Sequence, residues 1–230
     1  MRYLGGKSKI RKQVATVLEL MRKPGQVYFE PFCGGGWVLQ EMTGPRIASD
    51  GNAALVTMYQ SLQAGWVPPD FVSEELWRAY KNNPRDNDPM TAFCGFGCSF
   101  AGKWFGGYAR SDGKICYAAT TARSLAKQLP LIRDVEFRHG LYGTHAPVDC
   151  LIYCDPPYAG TTQYGAFDGF DHLKFWETMR EWAEKGNTVI VSEYTAPPDW
   201  VCVYECESRM GLTTDGERPK RIERMFMYGA

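Results

Sequence analysis

The run Cys150-Leu-Ile-Tyr-Cys-Asp-Pro-Pro-Tyr158 sets the fold of this chain. Its first five residues have the length and apolar composition of a buried strand. The two prolines then end any ladder, because they donate no hydrogen bond and fix their own backbone. Asp155 and Tyr158 are thereby carried at the carboxyl end of a strand, on a backbone with little freedom. In open α/β sheets, that edge is where ligands bind.

Upstream, Val27-Tyr28-Phe29 reads as a second short buried strand, ending at Glu30-Pro31-Phe32. Gly34, Gly35 and Gly36 follow, then a helix over 37–42, a strand over 46–49 closing on Asp50, and a helix over 52–64. Ahead of these, the turn Gly5-Gly6-Lys7 leads to a helix over 8–21 that Ser8 can cap, with Ile10, Val14, Val17 and Leu18 on one face. Pro24-Gly25 stops it. Strand, glycine turn, helix, strand and acid form the opening half of a nucleotide-binding α/β sheet. The glycines are contiguous rather than spaced G-x-G-x-x-G, which argues against NAD. Three together still let a ligand approach the backbone closely. Asp50 is placed to accept hydrogen bonds from a ribose diol; taken alone, it reads equally well as a turn or cap acid.

Downstream, sheet character returns at residues 135–137 and continues into the Asp155 strand. A helix over 171–184, a buried strand over 188–192 and a closing antiparallel pair at 200–204 and 225–228 complete the sheet. Between 67 and 127 the chain changes character. Prolines break it into short helical pieces, and aromatics, glycines and cations interleave over 93–110 without a clean period. Such a tract can stack on bases and grip phosphates. By itself it reads first as a glycine-rich lobe whose rings fill their own core.

At 230 residues, 44% hydrophobic and 23% charged, the chain has room for one large domain, or for a core with a small insert. The formal net charge of +0 gives no global field toward nucleic acid, but the charges are unevenly placed. Arg2, Lys7, Lys9, Arg11 and Lys12 open the chain without an acid, and Arg209, Arg218, Lys220, Arg221 and Arg224 form a second basic stretch. No signal-peptide core or membrane-spanning run is present in the sequence. The eight cysteines are therefore expected as reduced thiols in a cytoplasmic protein. The pairs Cys94/Cys98 and Cys202/Cys206 lack the spacing of a zinc site, so no metal is expected.

Four motifs in register, Tyr3-Leu-Gly-Gly-Lys7, Phe29-Glu-Pro-Phe-Cys-Gly-Gly-Gly36, Ser49-Asp-Gly-Asn52 and Asp155-Pro-Pro-Tyr158, resemble those of the Dam-type (D12 class, alpha-group) DNA adenine methyltransferases. The resemblance implies an α/β fold: a Rossmann-like S-adenosylmethionine-dependent methyltransferase sheet with a small, mostly helical target-recognition insert. The catalytic domain would be residues 1–66 and 135–230, and the insert residues 67–134. S-adenosylmethionine would lie across the carboxyl edge of the sheet. Tyr3 and Lys7 would flank it, and Glu30, Phe32 and Gly34 would line its methionine end. Asp50 would take the ribose hydroxyls, with Gly51 near the adenine and Asp155 between cofactor and target. Asp155, Pro156, Pro157 and Tyr158 would form the catalytic tetrapeptide. Lys103, Trp104, Tyr108 and Arg110 of the insert are the candidates for contact with double-stranded DNA. Two departures stand out: Gly51 replaces what is more often a bulky apolar residue, and the insert differs from the recognition segment of GATC-modifying relatives. Its compactness resembles an orphan, phage-encoded enzyme, a monomer or weak dimer of a bacterial or phage-infected cell.

The chemistry has its own reasons. The exocyclic amine of adenine is a poor nucleophile because its lone pair is delocalised into the ring. Asp155 and the Pro156 carbonyl, accepting its N–H protons, would favour a tetrahedral nitrogen with the lone pair free. Aligning nitrogen, methyl and sulfur can supply about 7–11 kcal/mol of the barrier, and the carboxylate counters the charge developing on nitrogen. A base within a duplex must be flipped out to reach such a site, where Tyr158 would stack on it. The same chemistry on RNA adenine or a protein amide, and a non-catalytic DNA-binding module retaining the fold, are the alternatives.

Overall fold

The computed structural model describes residues 1–110, 115–159, 169–209 and 220–229, and the backbone alone at 208, 209, 220 and 221. Arg218 of the second basic stretch lies outside the described residues. Seven strands form one sheet: β1 (Val27–Glu30), β2 (Arg46–Asp50), β3 (Glu136–His139), β4 (Cys150–Cys154), β5 (Thr188–Glu193), β6 (Trp200–Arg209) and β7 (Lys220–Tyr228). Their order is β3-β2-β1-β4-β5-β7-β6. The first five run parallel, and β7 runs antiparallel to both β5 and β6. This is a mixed, Rossmann-like sheet, as expected.

β4 and β5 are buried along their whole lengths, which is why both read as unbroken apolar runs rather than as alternating strands. Successive residues still face opposite layers. Tyr28, Leu151, Tyr153 and Ile190 join the core shared with α1 (Arg11–Met21) and α2 (Ala53–Gln63). Phe29, Ile152, Cys154, Val189 and Val191 pack with Phe175, Met179 and Trp182 of α6 (His172–Glu184) on the other side. After Asp50, Asn52 caps α2 through the Leu55 N–H at 3.0 Å, and Asp171 caps α6 through the Lys174 N–H at 2.9 Å, as their residue types favour.

The crossover from β2 to β3 carries, besides α2, the helices α3 (Glu74–Asn82), α4 (Pro89–Ala92) and α5 (Tyr117–Ile132), with no named strand among its described residues. α4 runs on into a π turn at Phe93–Gly97. Phe93, Cys94, Phe96, Cys98 and Phe105, together with Ala118, Ala122 and Leu125 of α5, belong to the same apolar cluster as Tyr28 and Tyr153 of the sheet.

Three local expectations are corrected. The helix over 37–42 is only a 3₁₀ turn, Leu39–Glu41: Gly36 sits at φ +64° and Met42 is already extended, which leaves no room for a full α-turn. Ser8 does not cap α1. Ile10 stands at that position without a side-chain bond, because residues 7–10 close a turn through the Ile10 N–H and the Lys7 carbonyl, 3.0 Å apart. The closing pair is also longer than expected, Glu205 facing Arg224 and Cys206 facing Glu223. Charged cross-strand partners continue the ladder past the apolar residues that signalled it.

Candidate active site

Glu30 ends β1, Asp50 ends β2, and Asp155 follows β4. β1 pairs with β2 on one side and β4 on the other, so three acids occupy one carboxyl edge at the point where strand order reverses. The glycine turn after β1 is held from several directions. The Cys33 N–H meets the Ser49 carbonyl at 3.0 Å, and the Gly36 N–H meets the Cys33 carbonyl at 2.7 Å. Gly34 donates to the Asp50 carboxylate at 3.0 Å. The Tyr59 hydroxyl of α2 donates to the Gly34 carbonyl at 2.9 Å. Gln128, buried on α5, donates its amide to the carbonyls of Gly35 and Gly36, each at 3.0 Å. Gly34 has φ +44°, and a Cβ there would stand 2.8 Å from the Tyr3 ring. Glycine is required by both conformation and space.

This edge fits an S-adenosyl ligand. Each Asp50 oxygen takes one backbone N–H, from Gly34 or from Asn52 at 2.9 Å. Each therefore keeps a lone pair for one hydroxyl of a ribose diol. Burial raises the Asp50 pKa, opposed by those two N–H groups. Burial pushes the Glu30 carboxyl up to about 8, despite the Tyr28 hydroxyl donating to it at 2.7 Å; the charges of Asp155 and Asp50 push the same way. Tyr3 lies against the turn, its ring 4.7 Å from that of Phe96. Phe32 turns into a cluster of rings with Tyr142, at 5.4 Å, and Phe175, at 5.8 Å. Gly51 is partly exposed between Asp50 and Asn52.

The Lys7 ammonium reaches Asp155 Oδ1 at 2.7 Å and stands 3.6 Å from Glu223 Oε2, with 8% of its side chain exposed. It lies 4.6 Å from the centre of the Tyr158 ring. The Tyr158 hydroxyl donates to Glu223 Oε2 at 3.0 Å, and its ring meets Tyr194 edge-on at 4.7 Å. Glu193, at the end of β5, accepts the N–H groups of Ala159 and Tyr194 at 3.1 and 2.8 Å, holding the backbone at Ala159. Pro156 is buried and Pro157 half-buried. Burial raises the Asp155 pKa, and Lys7 offsets part of that rise. Such a carboxylate can accept an N–H of an amine where the Lys7 ammonium stands, over the face of the Tyr158 ring.

One stretch, from the amino-terminal loop to the start of α4, is similar to a known family. Residues 3–90 match the family model of the D12 class N6 adenine-specific DNA methyltransferases. The D12 match takes in Tyr3, Lys7, Glu30, Phe32, Gly34, Asp50 and Gly51; Asp155 and Tyr158 lie beyond it, and it carries no indication of phage origin. None of the curated proteins compared with the chain matches it. Among solved structures, it is similar to the rRNA methyltransferase AviRa from Streptomyces viridochromogenes, at 14% identity and TM-score 0.36, over 94% of this chain and 84% of that one. It is also similar to SMU.472 complexed with SAH, at 14% identity and TM-score 0.39, over 98% of this chain and 54% of that one.

The four residues singled out in the aromatic tract divide. Trp104 packs inward, its ring 4.7 Å from Phe96 and 4.8 Å from Phe105, into space that Gly95 leaves open. The Tyr108 hydroxyl donates to the Val72 carbonyl at 2.7 Å. Arg110 is exposed and pairs with Glu74. Lys103 lies partly exposed, its stem over Gly106. Glu223, Tyr59 and Gln128 carried no sequence signal toward the site, each being far in sequence from the groups it meets, and Glu193 reaches Ala159 from 34 residues away. No helix among the described residues is long and apolar enough to cross a membrane.

Proposed function

We propose that the chain is an S-adenosylmethionine-dependent DNA adenine methyltransferase acting on the exocyclic 6-amino group of a flipped-out base. The carrying observation is the Asp155 carboxylate just after β4, with the Lys7 ammonium between it and the face of Tyr158. It stands on the same strand edge as Asp50 and the glycine turn. The D12 match to the amino-terminal portion supports the same reading.

S-adenosylmethionine, when bound, supplies a methyl group already activated on a sulfonium. Asp50 would hold its ribose, the turn at Gly34 would admit it close to the backbone, and Glu30 and Phe32 would line its methionine end. Asp155 accepts a hydrogen bond from an N–H of the target amine and balances the positive charge that grows on nitrogen during transfer, after which the nitrogen gives up a single proton. Tyr158 stacks on the base and replaces part of the stacking lost on flipping, worth about 1–3 kcal/mol. Residues 67–134 serve as the target-recognition segment, with Lys103 and Arg110 toward the phosphates; Trp104 and Tyr108 hold that segment on the core.

Incubation with methyl-labelled S-adenosylmethionine and unmodified plasmid DNA, followed by nucleoside analysis, tests this. Label in 6-methyladenine is the expected result. Label on RNA alone transfers the chemistry to another substrate, and retained cofactor binding without label on any nucleic acid overturns it.

A further inference from the structure

Resting on that reading, we infer that Glu223 is a positioning residue, a second seat onto which Lys7 moves when the target amine takes its place on Asp155.

In the structure, Lys7 occupies the position an adenine needs. Its ammonium is bonded to Asp155 Oδ1 at 2.7 Å and lies over the Tyr158 ring at 4.6 Å: a cationic N–H donor on the acceptor and the ring that would receive the base. A base arriving there displaces it. A buried ammonium left without a partner is strongly unfavourable, so displacement needs another carboxylate within reach. Glu223 Oε2 stands 3.6 Å away, its carboxylate half-buried on β7 and fixed by the Tyr158 hydroxyl at 3.0 Å. A shift of about 1 Å brings Lys7 from one acid into hydrogen-bond range of the other. Burial disfavours the Lys7 charge, but Asp155 and Glu223 together outweigh it and hold its pKa above the usual lysine value. Lys7 therefore stays charged in either seat and transfers no proton. Its departure frees an Asp155 lone pair for the amine, and the fixed Glu223–Tyr158 bond keeps the ring oriented meanwhile.

The groups facing Asp155 set what titration reveals. They are Lys7 from the amino-terminal loop, Glu223 from β7, Glu30 from β1, Glu193 from β5, and Tyr153, Cys154 and Tyr158 of its own segment. Glu223 raises the Asp155 pKa and Lys7 lowers it. Neutralising Glu223 must move the acid limb of activity to lower pH, and neutralising Lys7 must move it to higher pH.

The test is a double-mutant cycle of Glu223→Gln and Lys7→Gln, with label transfer to plasmid DNA measured across pH. Urea unfolding of each variant accompanies it. With Lys7 present, Glu223→Gln is expected to lower kcat/KM for DNA by about tenfold, leaving KM for S-adenosylmethionine within about twofold; without Lys7 it adds less than about twofold. Equal losses in both backgrounds overturn the inference, because Glu223 would then act through Tyr158 or the fold. An unmoved acid limb in Glu223→Gln overturns it as well. Wild-type protein that binds cofactor but labels no nucleic acid overturns the functional reading, and this inference with it.

Discussion

Asp50 accepts a hydrogen bond from the Gly34 N–H across 3.0 Å, fastening the end of β2 to the turn that follows β1. A second oxygen of the same carboxylate takes the Asn52 N–H at 2.9 Å, where α2 begins. One side chain thus shapes the cofactor turn and presents the acceptors for a ribose. Asp50→Asn removes an acceptor from one buried N–H. It is expected to cost about 1–3 kcal/mol of stability, and to weaken S-adenosylmethionine by about tenfold or more through the lost charged hydrogen bond. Chemical denaturation and calorimetric titration check the two effects separately.

Gly34→Ala strains the same turn differently. The residue lies at φ +44°, and an added Cβ would come within 2.8 Å of the Tyr3 ring. The expected cost is about 1–3 kcal/mol, with the cofactor-induced rise in Tm reduced. Gly65→Ala, at φ +96° with nothing near its Cβ, carries the backbone strain alone and should leave that rise unchanged.

Glu30 predicts a pH dependence of stability. Its carboxyl titrates near 8 in the folded protein against 4.5 ordinarily, chiefly through burial. The folded state retains a proton that the unfolded chain releases first. This contribution is therefore complete below pH 4.5 and is lost as pH rises toward about 8. Glu30→Gln, which stays neutral, should flatten the fall of Tm across that window. Thermal unfolding at a series of pH values reads it; an unchanged slope would show that Glu30 ionises freely.

Asp155→Asn keeps the shape of the side chain while removing its charge and one acceptor. Transfer should fall by about 10²–10³-fold or more, the scale for losing one preorganised electrostatic partner of a transition state. Cofactor affinity should change little, since the turn and Asp50 are untouched. Single-turnover transfer and calorimetric titration separate the two.

In the aromatic tract, Trp104→Ala and Lys103→Ala should differ in kind. Trp104 lies against Phe96 and Phe105, so its truncation is expected to cost about 3 kcal/mol of folding stability. Lys103 is partly exposed, with no buried partner for its charge among the described residues, and its loss should weaken DNA binding and flatten the salt dependence by about one phosphate contact. Urea unfolding and filter binding at several salt concentrations distinguish them.

Local chemistry in the sequence was enough to locate the acids. Prolines after Asp155 and glycines after Glu30 mark where strands end and turns begin, because these residues restrict or free their own backbone wherever they stand. Apolar runs at 150–154 and 188–192 likewise identify strands covered on both faces. The aromatic tract was less legible. A ring that stacks on a base and one that fills a core have the same composition, and only packing turned Trp104 and Tyr108 inward.

What tertiary structure alone decided is which side chains meet. Lys7 and Asp155 are 148 residues apart, Gln128 and Gly36 are 92 apart, and Tyr158 and Glu223 are 65 apart. The last pair exists because β7 lies between β5 and β6, which brings an acid from the end of the chain to the edge where β4 stops. Backbone preference acts over a few residues and is written in them. Strand order is a property of the whole core, and no residue near Asp155 encodes the arrival of Glu223.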